Sequence, residues 1–163
     1  MVDGKTTVPY RPEMQNVLQI SKKIDYALRA MVYLSSLPPE RIMSFRRIAE
    51  ECRTPKDFLG KIMKTLADHK LVTSVRGSAG GYRLARPAST ISFLDVIEAV
   101  EGIVALNPCI DDPSVCPNHL TCTMSGVWMK AQEQMLVVLR QTTLEDVLYD
   151  RAGSGISFAT VSR

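Results

Sequence analysis

No stretch of this chain approaches the run of about 18 apolar residues that a membrane-spanning helix needs. Residues 1–19 also lack the apolar core of a signal peptide, since Asp3, Lys5, Arg11 and Glu13 interrupt them. A membrane or exported protein is therefore not expected, and a cytoplasmic one is. The same residues show no strong periodicity and contain two prolines, so a mobile extension is expected over 1–19. Glycines cluster at 77, 80 and 81, yet no Gly-Lys-Ser/Thr follows and no strand-loop-helix unit encloses them, which argues against a nucleotide site. A second cofactor motif is missing as well. An electron-transfer enzyme thus finds little support, and no catalytic step is expected.

What the chain does carry is three of its four cysteines within one short stretch: Cys109, Cys116 and Cys122 stand six and then five residues apart. Prolines at 108, 113 and 117 disfavour a helix there. An irregular loop is expected that turns several side chains onto one point. Thiolates bind soft metals, and a cluster of them without export signals reads more readily as iron-sulfur or zinc ligands than as disulfides. An odd number also leaves one thiol unpaired. The bland alternative is three unligated cysteines in a loop.

Charge is divided along the chain. Residues 21–87 hold 14 Lys and Arg against 6 Asp and Glu, and the remainder holds 6 against 11, within a net charge of +3. A basic half separate from the cysteine half points to a polyanionic partner when a motif supports it. Ile24, Ala27, Leu28, Met31 and Leu34 recur at helical spacing until Pro38 and Pro39. Asp25 lies near the start of that first helix, where stabilising the helix end is its ordinary role. Ser44 is positioned to cap a second helix with Phe45, Ile48, Ala49 and Cys52 on its apolar face, making Cys52 a small buried hydrophobe. Thr54 as N-cap, Pro55 in the first turn and Asp57 at the capping-box position announce a third helix about two residues later, with Phe58, Ile62, Met63 and Leu66 as its buried face.

Residues 71–75 then read as a strand, 76–81 as a glycine-rich turn and 82–84 as the return strand. A hairpin after a helix-turn-helix is a wing, and in a winged helix the second helix of the motif enters the major groove while the wing lies along the backbone or in the minor groove. Arg76 stands at the wing tip. Ser92 with Asp95 opens another helix, ending near Gly102. Past the cysteines, Met124, Trp128, Ala131, Met135 and Val138 form a heptad-like seam from about residue 123 to 140, with Val127, Leu136 and Leu139 off it. Such a helix buries one side on its own domain and another on a second subunit; a purely intramolecular core helix is the alternative. Thr142 with Glu145 is expected to cap a last short helix.

With these motifs in place the chain resembles a family of bacterial winged-helix regulators, the one that includes IscR, NsrR and RirA, over about residues 18–148. The carriers are Asp25-Tyr26-Ala27-Leu28-Arg29-Ala30, Val75-Arg76-Gly77-Ser78-Ala79-Gly80-Gly81-Tyr82, and Ser92-Phe93-Leu94-Asp95-Val96-Ile97 leading to the three cysteines. The resemblance implies a mainly α fold with a small β-hairpin wing, in which a winged helix-turn-helix is followed by a long C-terminal dimerisation helix. It divides the chain into an extension over 1–19, a DNA-binding domain over 20–102, a cluster-binding loop over 103–123, the dimerisation and terminal helices over 124–150 and a flexible tail over 151–163.

The resemblance further implies a homodimeric repressor reading a pseudo-palindromic double-stranded operator, with an iron-sulfur cluster, [4Fe-4S] or [2Fe-2S], on Cys109, Cys116 and Cys122 that senses nitric oxide, redox state or iron and cluster supply. IscR-like members place a histidine three residues after the last cysteine; Ser125 stands there instead. NsrR-like members use an aspartate at the start of the partner subunit's first helix, and Asp25 occupies the matching position. His119 is a substitute, and with the three cysteines it would also make a closed zinc site, the structural-metal alternative. For DNA contact the winged-helix reading points to Thr54, Lys56, Asp57 and Lys61 at the exposed start of the third helix, Arg46, Arg47 and Lys64 nearer phosphates, and Arg76, Gly77 and Ser78 in the wing.

Overall fold

The computed structural model describes residues 20–77 and 79–151. The expected extension over 1–19, the tail from 152 onward and Ser78 lie outside them. Helix α1, Lys22–Ser35, starts where the Ser21 hydroxyl accepts from the Ile24 amide at 3.2 Å, and it buries Ala27, Ala30, Met31 and Leu34 along one face. Helix α2, Phe45–Glu51, is capped by Ser44 and buries Ile48 and Ala49. Cys52 is buried beside them, and burial pushes its thiol up to about 11, so it packs as a neutral apolar group.

Four residues, not two, separate α2 from α3, Lys56–Asp68. The extra length accommodates a Schellman turn. Arg53 adopts φ +50°, its amide donates to the Glu50 carbonyl, and the Thr54 amide donates to that of Ala49 at 3.0 Å. Helix α3 ends the same way, with Lys70 at φ +58° and the Leu71 amide donating to Leu66 at 2.9 Å. The left-handed residues that glycine would normally supply are thus Arg53 and Lys70.

Strands β1, Val72–Val75, and β2, Gly81–Leu84, pair antiparallel with Val72 opposite Leu84 and Val75 opposite Gly81. The hairpin has a further partner that sequence reasoning missed. Met43 and Tyr82 exchange two backbone hydrogen bonds of 2.9 Å, tying the return strand to the segment entering α2. Gly81 permits this approach, because a Cβ there would overlap the Met43 carbonyl. Gly77, at φ +113°, turns the chain at the tip.

After a 3-10 turn, Ala88–Thr90, helix α4, Phe93–Glu101, opens with a complete Ser92/Asp95 capping box and closes at Gly102, φ +82°. Cysteine-bearing α5, Pro108–Asp111, precedes the long α6, Ser125–Gln141, and α7, Leu144–Arg151. Fully buried Met31, Ile48, Leu59, Ile62, Met63, Leu66, Ile91, Val96 and Leu144 define one core shared by α1 to α4 and α7. The chain returns to that core after α6: the Phe93 amide donates to Thr142 and the Leu144 amide to Ile91, both at 2.9 Å. Helix α6 itself contributes no buried residue.

The cap of α7 is shifted by one residue from expectation. Thr143 and Asp146 form it, not Thr142 and Glu145: the Thr143 amide and hydroxyl donate to the Asp146 carboxylate at 2.8 and 2.7 Å. These donors hold the Asp146 carboxyl below the usual range.

Candidate nucleic-acid interface and cysteine loop

Helix α3 presents Leu59, Ile62, Met63 and Leu66 to the core at i, i+3, i+4 and i+7. Opposite them Lys56, Asp57, Lys61 and Lys64 are exposed. Two expectations fail at its first turn. Thr54 is only 5 % exposed and its hydroxyl donates to the Cys52 carbonyl at 3.2 Å, so it neither caps α3 nor stands at an exposed helix start. Pro55 occupies the cap position, without a side-chain hydrogen bond. Phe58, expected in the buried face, is exposed, and Leu59 takes its place because that register completes the apolar stripe.

The cations divide into two groups. Arg46 pairs with Glu50 at 2.9 Å, Arg47 with Glu51 at 2.7 Å and Lys64 with Asp68 at 3.0 Å, each along its own helix. The Arg46 hydrogen bond lowers the Glu50 carboxyl and raises the guanidinium in turn. Lys56, Lys61 and Arg76 have no carboxylate partner among the described residues. With Arg76 and Gly77 exposed at the wing tip, these three charges lie on α3 and the wing, the two elements a winged helix uses, although Lys22, Arg41, Arg53 and Lys70 are also without an ion pair among the described residues.

The segment between Gly102 and α6 is not featureless. Two of its prolines start short turns, Pro108 opening α5 and Pro113 a 3-10 turn at Pro113–Val115, and a second 3-10 turn, without a proline, spans His119–Thr121. Proline cannot continue a helix, but its fixed φ and missing amide suit a first position. Cys109 lies within α5, Cys116 follows the first 3-10 turn and Cys122 the second; all three are half-buried and free. The Leu106 amide donates to the Gln132 side chain at 2.9 Å and the Ser125 hydroxyl to the Cys122 carbonyl at 2.9 Å, so both ends of the loop are fastened to α6. Between those ends, Ser114 donates twice to Asp112 and lowers its pKa. Exposed Val115 and Leu120 leave the middle without apolar anchors.

The expected convergence onto one point is not observed. Among the described residues no three His, Cys, Asp or Glu side chains form a metal-binding group. The donor set nevertheless fits an iron-sulfur cluster chemically, offering three free thiols on one short loop. Asp25 stands on the first turn of α1, its carboxylate held by Arg29 at 2.7 and 3.0 Å. The same turn is latched to the base of the loop: Ser21 donates to Glu101 at 2.6 Å, Lys23 pairs with Glu101 at 3.8 Å, and Lys23 also donates to the Val100 carbonyl.

A helix-turn-helix, a wing pinned beside it and a long helix beyond define a winged-helix regulator. The chain belongs to the Rrf2 family, described as iron-dependent transcriptional regulators, whose model matches residues 20–150. Members of that family are transcriptional regulators, not enzymes. A Mycobacterium tuberculosis protein named as an HTH-type transcriptional regulator, Rv1287, is 35% identical over 130 residues, covering 80% of this chain and 81% of the relative. IscR of T. potens is 30% identical with a TM-score of 0.68, over 84% of this chain and 92% of its own. CymR of B. subtilis, named the global cysteine regulator of that organism, is 28% identical with a TM-score of 0.66, over 81% and 97%. No helix among the described residues is long and apolar enough to cross a membrane.

Proposed function

We propose that this regulator is a homodimeric DNA-binding repressor whose operator affinity depends on an iron-sulfur cluster held by Cys109, Cys116 and Cys122. The observation that carries the reading is the presence of three free, half-buried thiols on the one loop that joins α4 to α6. Bound there, the cluster would supply an iron centre responsive to nitric oxide, redox state or iron supply. Asp25 of the partner subunit is the proposed fourth ligand; its half-exposed carboxylate has acceptor sites beyond those that Arg29 takes.

The chain's own contacts suggest how the loop affects DNA binding. Glu101 and Val100, immediately before the loop, are bonded to Ser21 and Lys23 of α1, and α1 packs on α3. A rearranged loop therefore pulls on the reading head and on α6 together. Two heads that must sit about one DNA turn apart lose affinity when their spacing changes slightly. Lys56, Lys61, Asp57, Arg76, Gly77 and Ser78 are the proposed DNA contacts, with Arg46 nearer phosphates; Thr54 contributes by fixing the turn.

The test is an ultraviolet-visible spectrum with iron, sulfide and zinc assays on protein purified without oxygen. Brown protein with acid-labile sulfide, lost in a Cys116→Ser variant, supports the reading. Colourless protein with stoichiometric zinc replaces it with a zinc-stapled winged helix. Protein that stays metal-free after reconstitution refutes it.

A further inference from the structure

The core of α3 is complete without Phe58. Leu59, Ile62, Met63 and Leu66 fill the buried register, each at most 1 % exposed, whereas Phe58 in the first turn is 57 % exposed. One exposed apolar side chain is ordinary on a protein surface. Position sets this one apart. In a helix-turn-helix the N-terminal residues of the second helix contact base edges. Phe58 lies there between exposed Lys56 and Lys61, neither of which has a carboxylate partner among the described residues. Lys61, three residues on, shares its face.

The ring is also held in place. Tyr26 of α1 packs against it with centroids 6.2 Å apart and planes inclined at 60°, a tilted aromatic pair that restricts the phenyl without covering it. A phenyl group neither donates nor accepts a conventional hydrogen bond. Of the groups that base pairs display in the major groove, the one apolar feature is the thymine 5-methyl. We propose that Phe58 is a specificity-determining residue that recognises a thymine methyl in each operator half-site. This inference rests on the reading of α3 as the helix that enters the major groove.

The experiment selects 30-base-pair duplexes from a random pool with the full chain purified without oxygen, then measures fluorescence anisotropy on the selected duplex with each thymine replaced in turn by deoxyuridine. Removing a single buried methyl is expected to weaken wild-type binding roughly three- to fivefold at one thymine per half-site. Phe58→Ala is expected to bind thymine and deoxyuridine duplexes equally at that position, and Phe58→Leu to retain part of the preference. The wild-type comparison needs no variant to fold, and thermal melting checks the two that are made. A wild type indifferent to every replacement overturns the proposal, as does Phe58→Ala keeping the full loss, in which case the exposed ring serves another contact. A wild type that enriches no sequence overturns the operator-binding reading itself, a failure distinguishable from that of Phe58.

Discussion

Asp25 and Arg29 make an exposed helical ion pair, which contributes about 0.3–0.5 kcal/mol in such settings. Asp25→Ala is therefore expected to shift the melting temperature little. If Asp25 is a ligand, the same substitution changes the visible spectrum of the loaded protein and speeds cluster loss on exposure to air; an unchanged spectrum removes it from the ligand set. Arg76, exposed and without an ion pair, carries a second prediction. Arg76→Ala should weaken operator binding by roughly 1–3 kcal/mol and alter sequence preference, whereas Lys61→Ala should mainly do one or the other. Operator titrations at fixed salt decide, and unchanged Arg76→Ala binding would remove the wing contact. Residue chemistry was legible at Cys52, whose place in an apolar stripe announced its burial. It was not legible at Phe58 or Thr54. Both Phe58 and Leu59 can start an apolar stripe ending at Leu66, and only tertiary packing into the shared core selects Leu59; the Schellman turn then carries Thr54 inward.

At the scale of elements, local chemistry set most boundaries. Ser44 and Ser92 cap the helices they were expected to cap, Ser21 does the same for α1, and the hairpin forms around the glycines. Caps with adjacent candidates were harder: 142 and 143 are both threonine, and the backbone bond from Phe93 to Thr142 leaves Thr143 to cap α7. Thr143→Ala should cost about 1 kcal/mol in denaturant unfolding. Part of that stability is titratable. The folded-state pKa of Asp146 is depressed, so its contribution is complete above the ordinary carboxylate value of about 3.9 and is lost as pH falls through the lower folded value. Asp146→Ala should thus melt below wild type at pH 7, with the gap closing under acid. The proline-rich loop misled for a related reason, since the same residue that breaks a helix interior begins a short turn.

For the whole molecule, the least buried long element is α6. Trp128 is 38 % exposed, Met124 and Val138 more so, an apolar seam left open by a single chain. Trp128→Glu is expected to convert a dimer to monomer in sedimentation and to reduce operator affinity more than roughly tenfold, because each head then binds alone. A monomeric wild type would refute the pairing. The seam's spacing was legible in sequence, but its exposure depends on how α6 leaves the core and returns at Leu144, which no local pattern encodes. The Met43–Tyr82 tie was equally hidden, since the partners lie 39 positions apart. That tie limits how the protein can move. A wing fastened on both edges of β2 cannot flap away from α2 without giving up two backbone hydrogen bonds, so helix and hairpin travel as one rigid tool, and in the proposed dimer only the angle between two such tools would be left to adjust.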